Sequence, residues 1–251
     1  MKARDLLLGV IAMLLAGCGP IATPLSWSCA PVAPIPHHGE EGLSVFGGGQ
    51  VGQPSLLFDE DVKGRKITRS SYFYGRGQVG VSGQWELFRT NFSVWGAGGS
   101  GEYEVQPTDT SIRTVRDQFR AFHFQWDIGV APRVGEKTRL EFGVGAGGGA
   151  QSGSRLEEGY DPGGWRVGNE SAYHYPVITG ALFAGLGYSL RPDQTIGFRW
   201  YLVGLGTGWV LSYRWRFLQA YLSTQPIPLM AMPAAPNWAV GLQGYLPLGE
   251  D

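Results

Sequence analysis

Charge is scarce in this chain. Only 16% of its residues are Asp, Glu, Lys or Arg, and 20 basic against 21 acidic groups leave a formal net charge of −1. With no basic excess to neutralise a phosphate backbone, nucleic acid is not expected as a partner. Cysteine is scarcer: Cys18 and Cys29 are the only two. No apolar run reaches the ~20 residues of a membrane-spanning helix. No cluster of histidine, thiolate and carboxylate has metal-ligand spacing. His37 and His38 are adjacent but stand in a proline-rich stretch without a cluster of carboxylates or thiolates of ligand spacing, which reads as linker, and neither a metal nor a cofactor is expected. What the chain has instead is 40 glycines, nine tryptophans and eleven tyrosines, a mixture suited to strands more than to helices.

The N-terminus follows the order of a cleaved secretion signal. Lys2 and Arg4 supply positive charge, Leu6 to Leu15 are almost wholly apolar, and Ala16-Gly17 lead into Cys18. Leu15-Ala16-Gly17-Cys18 resembles the lipobox of bacterial lipoproteins. That resemblance implies a diacylglycerol on the Cys18 thiol, cleavage before Cys18, and a further fatty acyl chain such as palmitate on its amine. Cys29 would then lack a partner, and a disulfide framework is excluded. Residues 19 to 42 contain Pro20, Pro24, Pro31, Pro34 and Pro36 and show no apolar period. The chain accordingly divides into a signal peptide (1–17), a proline-rich tether (18–42) and a β-barrel domain (43–251).

From Leu43 onward the period is two. Phe122, Phe124, Trp126, Ile128 and Val130 share one face of a strand, while His123, Gln125, Asp127 and Gly129 share the other. The split recurs in Leu140, Phe142 and Val144 against Arg139, Glu141 and Gly143. It recurs in Ile196, Phe198 and Trp200 against Gly197, Arg199 and Tyr201, and in Trp209, Leu211, Tyr213, Trp215 and Phe217 against Val210, Ser212, Arg214 and Arg216. Weaker versions cover 43–52, 71–82, 88–99, 173–190 and 238–248. A soluble sandwich alternates too, but its outer face is normally rich in Lys, Glu and Thr. Here the polar face holds glycine and arginine, as in a narrow barrel whose interior matches small residues to large.

A hairpin centred near Gly135 would place Asp127 opposite Glu141, Gly129 opposite Arg139, Gln125 opposite Gly143 and His123 opposite Gly145. One near Asp193 would place Gly187 opposite Arg199 and Gly185 opposite Tyr201. Short turns near 83–87, 132–137 and 191–194 alternate with long connections at 53–69, 100–117 and 152–171. These long loops are acidic, through Asp59, Glu60, Asp61, Glu102, Glu104, Glu157, Glu158 and Asp161. The pattern resembles small bacterial outer-membrane barrels, which have short periplasmic turns, long outer loops and strands of ~9 to 11 residues in the membrane. The expected fold is all-β, a single antiparallel up-and-down barrel of eight or ten strands, transmembrane. Nine segments are an odd number, so one lies outside the barrel or one hides a hairpin. The irregular segment is 209–222, where Leu218, Ala220 and Leu222 take over the apolar phase after Phe217; a bulge would also account for it.

Gly47 to Gly52 and Gly143 to Gly148 match G-x-G-x-x-G, yet both lie within alternating strands instead of between a strand and a helix, so nucleotide binding is not expected. The inward polar set is the candidate site: Arg76, Arg89, His123, Gln125, Asp127, Arg139, Glu141, Arg199, Tyr201, Arg214 and Arg216. Asp127 and Glu141 in this set need a cation between them, and Arg139 is placed to supply it. The expected function is that of a lipid-anchored outer-membrane barrel with a structural, adhesive or partner-binding role and no catalysis. Its lipid contacts would be made through Cys18 and the barrel exterior, and any protein contact through the loops at 53–69, 100–117 and 152–171. Two alternatives are a lipid-modifying acyl hydrolase or transferase built from His123, Asp127, Glu141 and Ser212, and a lipid-tethered, lipocalin-like barrel with its apolar stripe turned inward around a ligand.

Overall fold

The computed structural model describes residues 35, 41–53, 66–106, 113–160, 166–203, 206–224, 227–228 and 238–248. Cys18, Cys29, His37, His38, Asp59, Glu60, Asp61 and Asp161 lie outside them, as do the signal-peptide boundary and most of the tether.

Eleven strands follow in order: β1 (Gly42–Gln53), β2 (Lys66–Trp85), β3 (Phe88–Gln106), β4 (Arg113–Val130), β5 (Thr138–Tyr160), β6 (Arg166–Arg191), β7 (Gln194–Val203), β8 (Gly206–Trp215), β9 (Leu218–Thr224), β10 (Ile227–Pro228) and β11 (Trp238–Leu248). β10 is two residues long and pairs only with Gly206 and Thr207 of β8. The others form a closed ring of ten antiparallel strands, each paired with the next in sequence from β1 to β9. β9 pairs with β11, and β11 returns to β1. Closure leaves no free edge among these ten.

The slip after Phe217 is a hairpin. Arg216 and Phe217 are its two turn residues, between β8 and β9. Arg216 has φ of +50° and Glu86, at the same place in the β2–β3 turn, has +32°, the left-handed backbone favoured at two-residue hairpins. This places Thr224 and Trp238, the facing ends of β9 and β11, at the long-loop end of the barrel. It also corrects the reading of Arg216 as a lumen residue. In the turn its side chain is 64% exposed and pairs with Asp193 at 3.4 Å.

Two predicted registers are corrected as well. Asp127 faces Gly145, Gly129 faces Gly143, Gln125 faces Gly147 and His123 faces Gly149. The β4–β5 turn lies farther along the chain, closed by Val134 N–H donating to the Thr138 carbonyl at 2.8 Å, with Gly135 at φ +80°. In the β6–β7 hairpin Gly185 faces Arg199, Gly187 faces Gly197 and Phe183 faces Tyr201, with an irregularity between Ser189 and Arg191. Both displacements are even, so no side chain changes face.

The long loops are shorter than expected because the strands run into them. β2 to β6 have 20, 19, 18, 23 and 26 residues, whereas β1, β7, β8, β9 and β11 have 12, 10, 10, 7 and 11. Glu102, Glu104, Glu157 and Glu158 are strand residues, so the segments 100–117 and 152–171 are largely pleated wall instead of loop.

Apolar side chains point outward on every one of the ten strands, including Val79, Phe92, Phe124, Val144, Ile178, Phe198, Leu211, Leu222, Leu242 and Val45. Trp85, Phe88, Trp215 and Phe217 are exposed at the short-turn end. The lipocalin-like alternative needs the reverse, an apolar lining and a polar outside, and this arrangement overturns it.

Candidate functional site

The interior is a packed polar core. Period two sends Arg76, Arg89, His123, Gln125, Asp127, Arg139, Glu141, Arg199, Tyr201 and Arg214 inward, and all ten are buried. Space for them comes from glycines on neighbouring strands. A Cβ on Gly145 would strike the Asp127 carboxylate, and one on Gly147 would lie 2.7 Å from His123 Nε2. Gly80 admits the ring of Phe46, whose Cζ would be 2.6 Å from a Cβ there. A glycine-rich inner face is what allows large side chains to cross a narrow lumen.

Glu141 is the electrostatic centre. Arg199 donates to both of its carboxylate oxygens at 2.7 Å and Arg89 donates to Oε1 at 2.6 Å. The three residues come from β3, β5 and β7, so they meet across the lumen and not along one hairpin. Arg199 also lies over Phe183, 4.8 Å from the ring centre. The expected opposition of Asp127 and Glu141 does not occur, because the register separates them. Asp127 Oδ1 accepts from Gln125 Nε2 at 2.8 Å.

A second network occupies the β1, β2, β9 and β11 side. Arg76 lies 4.5 Å over the Trp95 ring and donates to Gln78 Oε1 at 2.9 Å. Gln78 donates to Gln243 Oε1 at 2.7 Å, Gln243 donates to the Tyr245 hydroxyl, and Tyr245 donates to Gln219 Oε1 at 2.9 Å. Gln50 donates to the Tyr74 hydroxyl at 2.9 Å and accepts from that of Tyr221 at 3.2 Å. Tyr201 donates to the Thr224 carbonyl. The glutamines Gln50, Gln78, Gln219 and Gln243 were not picked out from the sequence. Their inward phase was legible, but an isolated glutamine carries no motif.

The hydrolase parts stay apart. His123 Nε2 lies 3.0 Å from Thr179 Oγ1 and its ring packs on Trp95, with ring centres 5.0 Å apart. Ser212 donates to the Gly197 carbonyl at 3.4 Å. The carboxylates of Asp127 and Glu141 are engaged by Gln125 and by the two arginines. No serine, histidine and carboxylate are in sequence along one hydrogen-bonded path among the described residues. Nor, among those residues, is there a group of three or more His, Cys, Asp or Glu able to hold a metal ion.

Beyond the apolar zone the strand extensions carry a different charge cluster. Arg116 donates to Glu102 and to Glu158, both at 2.9 Å, on the outer face of the wall. Hydrogen bonding and charge from Glu102, and then Glu158, hold the Arg116 guanidinium above its ordinary pKa. On the inner face Asp117 is buried and accepts from the Tyr173 hydroxyl at 3.0 Å and from Arg155 at 3.4 Å. Burial first, and the neighbouring Asp117 second, raise the Tyr173 phenol.

No family model matches the chain, and no curated protein matches it. Among solved structures it is similar to an outer membrane channel of Pseudomonas putida F1, at 9% identity and a TM-score of 0.42, over 86% of this chain and 99% of that one. It is similar to the outer membrane protein OprG of Pseudomonas aeruginosa, at 11% identity and a TM-score of 0.32, over 85% of this chain and 99% of that one. The translocator domain of the autotransporter NalP of Neisseria meningitidis matches at 11% identity and a TM-score of 0.32, over 82% and 89%. The barrel assignment rests on the closed strand order, not on these likenesses.

Proposed function

We propose that the protein is a lipid-tethered barrel spanning the bacterial outer membrane, with a structural, adhesive or partner-binding role and no catalysis. The observation that carries this reading is a belt of outward apolar side chains at one level on all ten strands. On β4 it runs from Phe122 to Val130 and stops at Arg120, which is exposed. A belt of about ten residues at ~3.4 Å each, tilted by ~40°, is roughly 26 Å tall, which matches the ~25 Å apolar band of outer-membrane barrels. In water such a surface would be a large exposed patch without a partner.

The packed interior favours a role other than general diffusion. Phe46, Tyr74, Phe183, Tyr201, Tyr221 and Tyr245 are all at most 5% exposed inside the ring. The wall formed by β2 to β6 continues beyond the belt with Arg116, Arg120, Glu102 and Glu170 exposed, which makes it the surface where a partner would be met. Gly42 at the start of β1 and Leu248 at the end of β11 lie at the short-turn end, the periplasmic side in barrels of this kind. A lipid on Cys18 would join the membrane from that side. With the barrel itself in the bilayer, the lipid serves assembly or placement of the tether more than retention.

Cell fractionation tests the reading. The chain should sediment with outer membranes, resist carbonate extraction and run differently on gels when unheated, and a Cys18→Ala variant should do the same. Release of Cys18→Ala into the soluble fraction would overturn the spanning assignment. Cysteines placed at Glu102 and Glu170 should react with an impermeant maleimide on intact cells, whereas one at Glu136 should not. The opposite labelling pattern would remove the wall as an outer contact surface.

A further inference from the structure

The cleft at the short-turn end of the lumen holds a residue that belongs to no barrel strand. Arg89, Arg139, Glu141, Gly187, Gly197 and Ser212 are among its walls. Ile35 sits in it. The Ile35 N–H donates to Gln219 Oε1 at 3.0 Å, and Arg214 Nη1 donates to the Ile35 carbonyl at 2.7 Å. Its side chain lies against Gly187 and Gly197, which are cross-strand partners on β6 and β7. A Cβ on Gly197 would come within 2.9 Å of Ile35 Cγ1 and 3.3 Å of Cγ2. The paired glycines therefore form a notch that the Ile35 side chain enters.

The sequence on either side of Ile35 suits this seat. Ile35 stands between Pro34 and Pro36, and proline has no N–H. The one backbone donor of that tripeptide is the one Gln219 meets. A residue before proline is held extended by steric clash, so Ile35 has little backbone freedom to lose on docking. The receiving groups are held in place as well: Arg214 lies 4.4 Å over the Tyr245 ring, and Gln219 Oε1 also accepts from the Tyr245 hydroxyl. At the same end of the barrel, Glu41 pairs with Arg133 of the β4–β5 turn at 2.8 Å.

We propose that this cleft is a peptide-binding site whose occupant is the chain's own residue 35. It takes an extended backbone, read at one N–H and one carbonyl, with a branched aliphatic side chain in the Gly187–Gly197 notch. The barrel thereby holds residue 35 of its own chain at the short-turn end of the lumen. The assignment stands on the lumen geometry and needs no bilayer.

A disulfide tests the seating directly. In a full chain carrying Cys29→Ser, folded in detergent, the pair Ile35→Cys and Gly197→Cys should crosslink and be found by peptide mapping. The pair Ile35→Cys and Gly75→Cys, the latter on β2, should not. Equal yields for the two pairs in a barrel that still migrates as folded would overturn the seating. A second test separates a peptide site from a fixed structural contact. Ile35→Lys, whose ammonium is repelled by the arginines of the wall, should vacate the cleft and bind a labelled synthetic peptide of residues 30–40 saturably, and adding Gly197→Val should abolish that binding. Failure of the peptide to bind folded Ile35→Lys, or binding that survives Gly197→Val, would overturn the site. Failure of the exterior to insert into bilayers would leave these detergent readouts unchanged, so the two proposals fail separately.

Discussion

The protein contains two clusters of the same chemistry in opposite surroundings. In the lumen one carboxylate, Glu141, is gripped by two arginines whose side chains are 4% and 8% exposed. On the wall one guanidinium, Arg116, is gripped by two glutamates, and its side chain is 54% exposed. The distances are nearly equal. What differs is how much water each group can reach when a partner is removed: Arg116 and Glu102 on the wall are about half exposed, whereas the lumen groups are nearly enclosed. A geometric count of ion pairs would rank the clusters together, whereas desolvation separates them.

The largest effect should follow from breaking the lumen cluster. Glu141→Gln leaves two buried guanidinium groups facing each other, and a cost of about 3–5 kcal/mol is expected for removing one partner of a buried pair. Urea unfolding followed by unheated-gel mobility measures it, and a loss no larger than that of a surface variant would refute the central role of Glu141. Next comes a charge moved from the wall into the belt. Arg116 and Arg120 are tolerated outside the belt, but Leu242→Arg at 55% exposure should cost about 2–4 kcal/mol in lipid, the penalty for arginine at mid-bilayer depth. Unfolding from vesicles compared with unfolding from detergent should reveal the penalty mainly in the vesicles, and equal costs in both would argue against a bilayer around Leu242.

A smaller effect should come from overfilling the lumen. A Cβ on Gly241 would lie 2.6 Å from Tyr221 Cε2, so Gly241→Ala should cost about 1–3 kcal/mol as an overpacked site. Tyr221→Leu should recover part of it in a double-mutant cycle, and strict additivity would show that the two residues do not compete for the same space. The smallest effect belongs to the wall. Arg116→Ala should leave unfolding unchanged and should make it no more sensitive to salt, since an exposed pair is already screened. A loss comparable to that of Glu141→Gln would abolish the distinction between the two clusters.

How far the sequence reached differs from element to element. The hairpin at Arg216 and Phe217 was visible as a change of apolar phase, because a two-residue turn reverses the strand while the faces restart at Leu218. The β4–β5 pairing was not, because Pro132, Gly135 and Lys137 allow more than one turn position, and the hydrogen bond between Val134 and Thr138 selects among them. The wall is not legible as strand because its outer face, with Arg116, Glu102 and Glu158, lacks the apolar alternation that marks strands elsewhere. Its inner face, Val115, Asp117 and Phe119, kept the period but was too short a signal to outweigh the charge. Nothing in the proline-rich stretch marks Ile35, since its partners Arg214 and Gln219 are some 180 residues away in the chain.

The sequence by itself determined which face of each strand is apolar and which is polar. Side chains alternate with a period of two, and any even slip of register preserves that division. Only the tertiary structure decided which polar groups meet. Closing ten strands into a ring carries the inner faces of β3, β5 and β7 to one another across the lumen, and it brings Ile35 to glycines of β6 and β7. Contacts of that kind depend on the stagger and closure of the whole sheet, and no local stretch of sequence encodes either.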